Sequence, residues 1–250
     1  MYHPHLLSRA VVGAAVAALV LSPGRATAQN LLFNGGFEQV GSGFGQALLP
    51  EGWVQAGNID PGADTYSVHN DFGLTPTDWW WWSAGALPNS SAEGARFVAA
   101  GEWSPYGWNE AFAQRLTTPL AAGARYALSG STRAASGQTW TGLNGEAGRF
   151  DVYLASSGSW TAPDRELVGS LAAPAHDWTT SSIEFFAPAA TGLDWIIFVP
   201  RAPLAGFSYL ALDDVELLPT VVTPEPGSVA LLITGLLAML TFARSRRRGA

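Results

Sequence analysis

The chain has 250 residues, with 13 Lys+Arg against 20 Asp+Glu, 28 Gly, 16 Pro and no Cys, and every basic residue is Arg. Without Lys there is no Schiff-base enzyme, PLP enzyme or P-loop lysine; without Cys there is no thiol nucleophile, disulfide, thiolate zinc site or iron–sulfur cluster. A net charge of −7 excludes the basic footprint of a nucleic-acid-binding protein.

Residues 1–28 read as a secretory leader. His3, His5 and Arg9 precede the small and apolar run Ala10–Leu21, Pro23 and Gly24 break it, and Ala26-Thr27-Ala28 sets a small-x-small cleavage pattern before Gln29. The run of 12 residues is about 18 Å as a helix, too short for a hydrocarbon core of about 30 Å, so removal by signal peptidase is expected rather than anchoring.

Residues 29–222 form the body. It keeps seven Arg and 19 acids, a charge near −12 that favours neutral or cationic ligands over polyanions. Short runs rich in Val, Ile, Phe, Tyr and Thr, bounded by Gly, Pro, Asn or Ser, predict strands at Leu31–Phe33, Ala95–Ala99, Arg125–Ser129, Phe150–Ala155, Ser182–Phe186, Trp195–Val199 and Tyr209–Leu217. No stretch sustains a helical period over 12 residues. The expectation is all-β, a single antiparallel sandwich. No internal repeat of fixed period is present.

At the other end, Pro224-Glu225-Pro226 precedes an apolar stretch, about 227–243, and the cluster Arg244, Arg246, Arg247, Arg248. Its 17 residues span about 25 Å, the short limit for one membrane crossing, with the Arg cluster cytoplasmic. This 223–250 tail resembles the PEP-CTERM sorting tail of exported proteins of Gram-negative bacteria. The resemblance implies recognition by an exosortase, cleavage near the Pro-Glu-Pro motif, and delivery to the cell surface or extracellular matrix after temporary membrane anchoring by the C-terminal helix. It implies nothing about activity.

The succession Asn30-Leu31-Leu32-Phe33-Asn34-Gly35-Gly36-Phe37-Glu38, Glu93–Val98, Phe112–Leu116, Ala122–Leu128, Trp178–Phe186 and Tyr209–Leu217 resembles the galactose-binding-like jelly roll of many carbohydrate-binding modules. Residues 53–90, with Trp79-Trp80-Trp81-Trp82, depart from that pattern as an insertion-like segment. The resemblance implies one structural Ca²⁺ where the opening and closing strands meet, with Glu38 and Asp213 as carboxylate ligands. Calcium wants six to eight hard oxygens, and backbone carbonyls can supply the remainder. Asp213 shares parity with Val215 and Leu217, yet Leu210 and Leu212 make the other face apolar too, so a solvated strand end is the plainer reading of these acids.

Trp103, Tyr106 and Trp108, with Asn109 and Glu110, form the candidate ligand site. Flat rings in a Pro/Gly-broken loop can stack on sugars while polar neighbours bond hydroxyls. Trp140, Trp160, Trp178 and Trp195 read as core fillers. Glu102 and Glu110 are a conceivable glycosidase pair across the loop. Among 19 acids such a pair has little specificity, and no Gly-x-Ser-x-Gly elbow or His-Glu-x-x-His helix accompanies it. His69 and His176 read as surface residues, Gly41-x-Gly43-x-Gly45 as a connector, and the Asn89-Ser90-Ser91 sequon is set aside for a bacterial host. The functional expectation is non-catalytic binding of extracellular polysaccharide. The alternatives are a structural or adhesive matrix component without a ligand site and, third, a secreted glycoside-active enzyme.

Overall fold

The computed structural model describes residues 29–40, 48–58, 62–67, 90–135, 147–175, 177–190, 192–202 and 207–220. The leader with Ala26 and Ala28, the Pro224-Glu225-Pro226 tail, Trp79–Trp82, Trp140, His69, His176 and Asn89 lie outside them. Strands in chain order are β1 (Trp53–Gln55), β2 (Asp64–Ser67), β3 (Arg96–Trp103), β4 (Trp108–Asn109), β5 (Phe112–Arg115), β6 (Arg125–Ala134), β7 (Gly148–Ala155), β8 (Glu166–Ala173), β9 (Thr179–Phe186), β10 (Trp195–Arg201) and β11 (Phe207–Pro219). The one helical turn among the described residues is 3-10, Ser104–Tyr106. None of their helices is long and apolar enough to cross a membrane.

The strands pair into two antiparallel sheets. One has five strands in the order β1-β5-β10-β7-β8; the other has six, β2-β3-β11-β6-β9 with β4 added against β3. The sheets face each other as the expected sandwich. Alternation sorts each strand: Tyr126 and Leu128 of β6 point into the core, as do Val98 and Ala100 of β3 and Phe150, Val152 and Leu154 of β7. At the heart of this core, Trp53 meets Phe37, Phe112 and Phe198 with ring centroids 5.1, 5.7 and 5.9 Å away. Such aromatic pairs contribute about 0.5–1.5 kcal/mol each beyond the burial of their area.

Several expectations are corrected here. The insertion-like 53–90 segment supplies one edge strand of each sheet, β1 and β2, and its Trp53 lies in the inter-sheet core. Trp160 and Trp195 instead pack on the outer face of the five-stranded sheet, and Trp178 lies on the outer side of the other sheet, edge-on to Phe97 at 5.6 Å. Leu31–Phe33 is not a strand. Side chains replace its ladder: the Phe33 N–H donates to Gln114 Oε1 at 2.8 Å, and Gln114 Nε2 donates to the Phe33 carbonyl at 2.7 Å. β8 had no clean alternation to read, because the register with β7 shifts between Val152 and Tyr153.

The opening segment closes the sandwich against β11. Asn30 Oδ1 accepts from the Leu32 and Leu217 N–H groups, while its Nδ2 donates to the Val215 carbonyl. The Val215 N–H donates to the Gly35 carbonyl at 3.0 Å. A bulge between Asp213 and Glu216, with Asp214 at φ 49°, makes this possible by turning Val215 out of the ladder with β6. Leu210, Leu212, Val215 and Leu217 thereby all reach the core, which resolves the double apolar face of the closing strand.

Candidate functional site

The aromatic loop forms a hairpin at the end of β3. Pro105 is the second residue of the 3-10 turn, and Gly107, at φ 65°, closes it with its N–H on the Ser104 carbonyl. Trp103 and Trp108 sit directly opposite each other, so their side chains leave on the same face. Their rings stand at 86° with centroids 5.4 Å apart. Tyr106 packs edge-on to Trp103 at 4.8 Å and lies tilted by 31° to Trp108 at 5.2 Å. Tyr106 is 62% exposed and Trp108 43%, an open aromatic surface braced from one side by Trp103. Asn58 clamps the tip: its Nδ2 donates to the Gly107 carbonyl, and its Oδ1 accepts the Asn109 N–H.

Three of the five expected ligand residues therefore come together: Trp103, Tyr106 and Trp108. Asn109 has a different task. Paired with Glu102 on the alternate face, it is buried, donates to the Pro200 carbonyl and accepts from the Ala111 N–H. Glu110 lies opposite Gly101, whose N–H its carboxylate accepts at 2.6 Å. Glu102 turns the other way, accepting Arg201 Nη1 at 2.8 Å and the Ala202 N–H at 2.6 Å. The conceivable glycosidase pair thus sits on opposite faces of the hairpin, because Glu102 and Glu110 oppose neighbouring positions of one ladder. They do not flank a common bond in the way hydrolysis requires.

A second surface escaped the reading of the sequence. On the outer face of the five-stranded sheet, the β7–β8 loop crosses back to β1, where the Trp160 N–H donates to the Ala56 carbonyl. Trp160 and Ala162 there cover Ala111, Ala113, Ile197 and Val199. The Arg165 guanidinium lies 5.2 Å from the Trp160 ring and 5.3 Å from the Tyr153 ring; Arg201 lies 5.7 Å from Trp160. Asp151 joins Arg149 at 2.7 Å, Arg201 at 3.1 Å and Ser170 at 2.7 Å. Burial raises the Asp151 carboxyl, but these donors outweigh it and hold the group below the usual aspartate range. The only sequence signal was the alternation Arg149-Asp151-Tyr153 against Phe150-Val152-Leu154.

Glu38 and Asp213 meet the same turn, residues 92–96. Glu38 Oε1 accepts the Ala95 and Arg96 N–H groups, and Oε2 pairs with Arg96 at 3.0 Å. Asp213 Oδ2 accepts from Ala92 and Glu93, and Oδ1 from Asp214. Burial pushes the Asp213 carboxyl up to about 7 against these three backbone donors. Glu93 is also raised, first by its hydrogen bond with the Asp214 side chain and then by that group's charge. A carboxylate offers about four acceptor sites, so Glu38 and Asp213 each retain one for a hard cation. Among the described residues no three acidic or imidazole groups converge as a ready-made cage, so a bound Ca²⁺ would draw its other oxygens from the main chain.

No protein-family model matches the sequence, and no curated protein matches it. Among solved structures, the chain is similar to the TmCBM61 carbohydrate-binding module in complex with β-1,4-galactotriose, at 16% identity over 76% of this chain and 99% of that one, TM-score 0.40. It is similar to a cyclase from Fischerella sp. TAU in complex with 4-(1H-indol-3-yl)butan-2-one, at 17% identity over 78% and 100%, TM-score 0.42. The CBM22-1–GH10 modules of Clostridium thermocellum xylanase 10B with xylohexaose are 16% identical over 68% of this chain, TM-score 0.40; the chain spans 26% of their length. All three TM-scores lie below 0.5, and neither fold nor function is carried over from these chains.

Proposed function

We propose that this chain is an exported, non-catalytic jelly-roll protein of a Gram-negative cell surface or extracellular matrix that binds neutral extracellular polysaccharide. The observation that carries the binding is the open Tyr106–Trp108 surface braced by Trp103. Stacking on the apolar face of a sugar ring needs flat aromatics that are exposed yet held in place. The 3-10 turn, the Gly107 bend and the Asn58 clamp hold these.

Export rests on the leader, with cleavage between Ala28 and Gln29. Sorting rests on Pro224-Glu225-Pro226, the following apolar segment and the terminal Arg cluster, which anchor the chain until an exosortase acts. Glu38 and Asp213 would hold one Ca²⁺ beside the 92–96 turn, joining the opening and closing segments.

The test is titration of the full chain with soluble neutral polysaccharides, followed by intrinsic Trp fluorescence. Saturable binding weakened roughly tenfold or more in Tyr106→Ala and Trp108→Ala supports the reading. A folded protein that responds to no polysaccharide, or binding indifferent to both substitutions, overturns it and favours a structural or adhesive matrix component.

A further inference from the structure

We propose that Arg165 is the centre of a second binding site, on the outer face of the five-stranded sheet, that takes the carboxylate of an acidic sugar such as a hexuronate. The body has 19 acids for seven Arg, so a guanidinium there should readily find a carboxylate. Five do: Arg96 with Glu38, Arg115 with Asp194, Arg125 with Glu184, Arg149 with Asp151, and Arg201 with both Asp151 and Glu102. Arg165 does not, among the described residues. Arg133 shares that lack, but its Nε is shut away from solvent.

Arg165 has rings instead. Its guanidinium is half-buried over Tyr153 and Trp160, which hold a planar fork by cation–π attraction and leave its N–H edge for a partner. A carboxylate is the planar acceptor that such a fork binds through two parallel hydrogen bonds. Arg201, against the same Trp160 ring, and Arg149, opposite it across the ladder, are held by Asp151 and Glu102, so the three guanidiniums of this face meet two carboxylates and the unmatched charge is that of Arg165. The half-buried Tyr153 and Trp160 beside it offer apolar surface to a pyranose ring. The net negative charge of the body does not prevent this. Repulsion between separated charges is screened beyond about 8 Å at physiological salt, while a direct pair at Arg165 is not.

This site is separate from the Tyr106–Trp108 surface and does not depend on it. The full chain, kept soluble in detergent, is titrated with polygalacturonate, with its methyl ester, with dextran sulfate and with uncharged dextran. Polygalacturonate should bind saturably, and its methyl ester roughly tenfold or more weakly. Arg165→Gln should cause the same loss while leaving thermal unfolding and Trp108-dependent binding of neutral glycan unchanged. Arg165→Lys keeps the charge without the fork and should recover binding only in part.

The proposal is overturned if acid and ester bind alike, if polygalacturonate does not bind, or if folded Arg165→Gln and Arg165→Lys both bind as the parent does. Equal, Arg165-dependent binding of dextran sulfate overturns carboxylate selectivity. Loss of neutral-glycan binding in Trp108→Ala, with polygalacturonate binding intact, marks the two sites as distinct.

Discussion

Glu102 of the six-stranded sheet and Arg201 at the end of β10 in the five-stranded sheet meet at 2.8 Å, and the same guanidinium reaches Asp151 at 3.1 Å. One arginine thus ties the base of the aromatic hairpin to the outer face that carries Trp160. Arg201→Leu should leave nearly buried Glu102 without its cation and Asp151 with Arg149 alone, and cost about 3 kcal/mol, the lower end for broken buried pairs because Arg201 is partly exposed. Glu102→Gln keeps an acceptor for only one of the two donors, sets its amide NH2 against the other, and should cost about 1–2 kcal/mol. Urea unfolding of both variants measures the difference.

Asp151 should make the protein acid-sensitive. Its folded carboxyl titrates below the usual aspartate range, so the unfolded chain binds the proton more readily. The stabilisation is complete above the unfolded value of about 3.9 and disappears as pH falls through the lower folded value. Between pH 5 and pH 2.5, urea midpoints of the parent should fall more steeply than those of Asp151→Asn.

Neighbouring glycines should respond in opposite ways. A Cβ on Gly35 would lie 2.0 Å from the Val215 carbonyl oxygen, whereas one on Gly36 would meet nothing within 4 Å. Gly35→Ala should force the opening segment off β11 and cost at least about 2 kcal/mol; Gly36→Ala should stay within about 0.5 kcal/mol. Thermal unfolding separates them.

Asn58 touches no sugar in the proposed binding mode, yet Asn58→Ala removes both side-chain hydrogen bonds that clamp the hairpin tip, leaving the main-chain bond from the residue-58 N–H to the Asn109 carbonyl. Glycan affinity should fall by roughly threefold to tenfold through lost preorganisation. The Tyr106 and Trp108 rings remain, so calorimetry should show a less favourable entropy with little change in enthalpy.

Calcium should raise the unfolding midpoint and chelator should lower it, by an amount that grows with free ion as binding to the native state requires. Glu38→Gln and Asp213→Asn should each abolish the dependence. A midpoint indifferent to calcium in the parent protein removes the ion from this corner.

Much of the sandwich was legible in the sequence. Alternation in Arg125–Ser129 and Phe150–Ala155 assigns strand and buried face together, because a half-buried sheet repeats every two residues whatever its partner. The same logic picked out Trp103, Tyr106 and Trp108, which a Pro and a Gly place in a tight turn. Only the tertiary structure decided that Asn109 points inward and that Glu102 and Glu110 part company. Those outcomes depend on hairpin register, which a two-residue strand does not reveal. Likewise the bulge at Asp214 turns two conflicting apolar parities into one core, because the Gly35 carbonyl is there to receive the Val215 N–H. Local periodicity is carried by neighbouring residues in the chain; register, bulges and the rings on which Arg165 rests arise from contacts between distant ones.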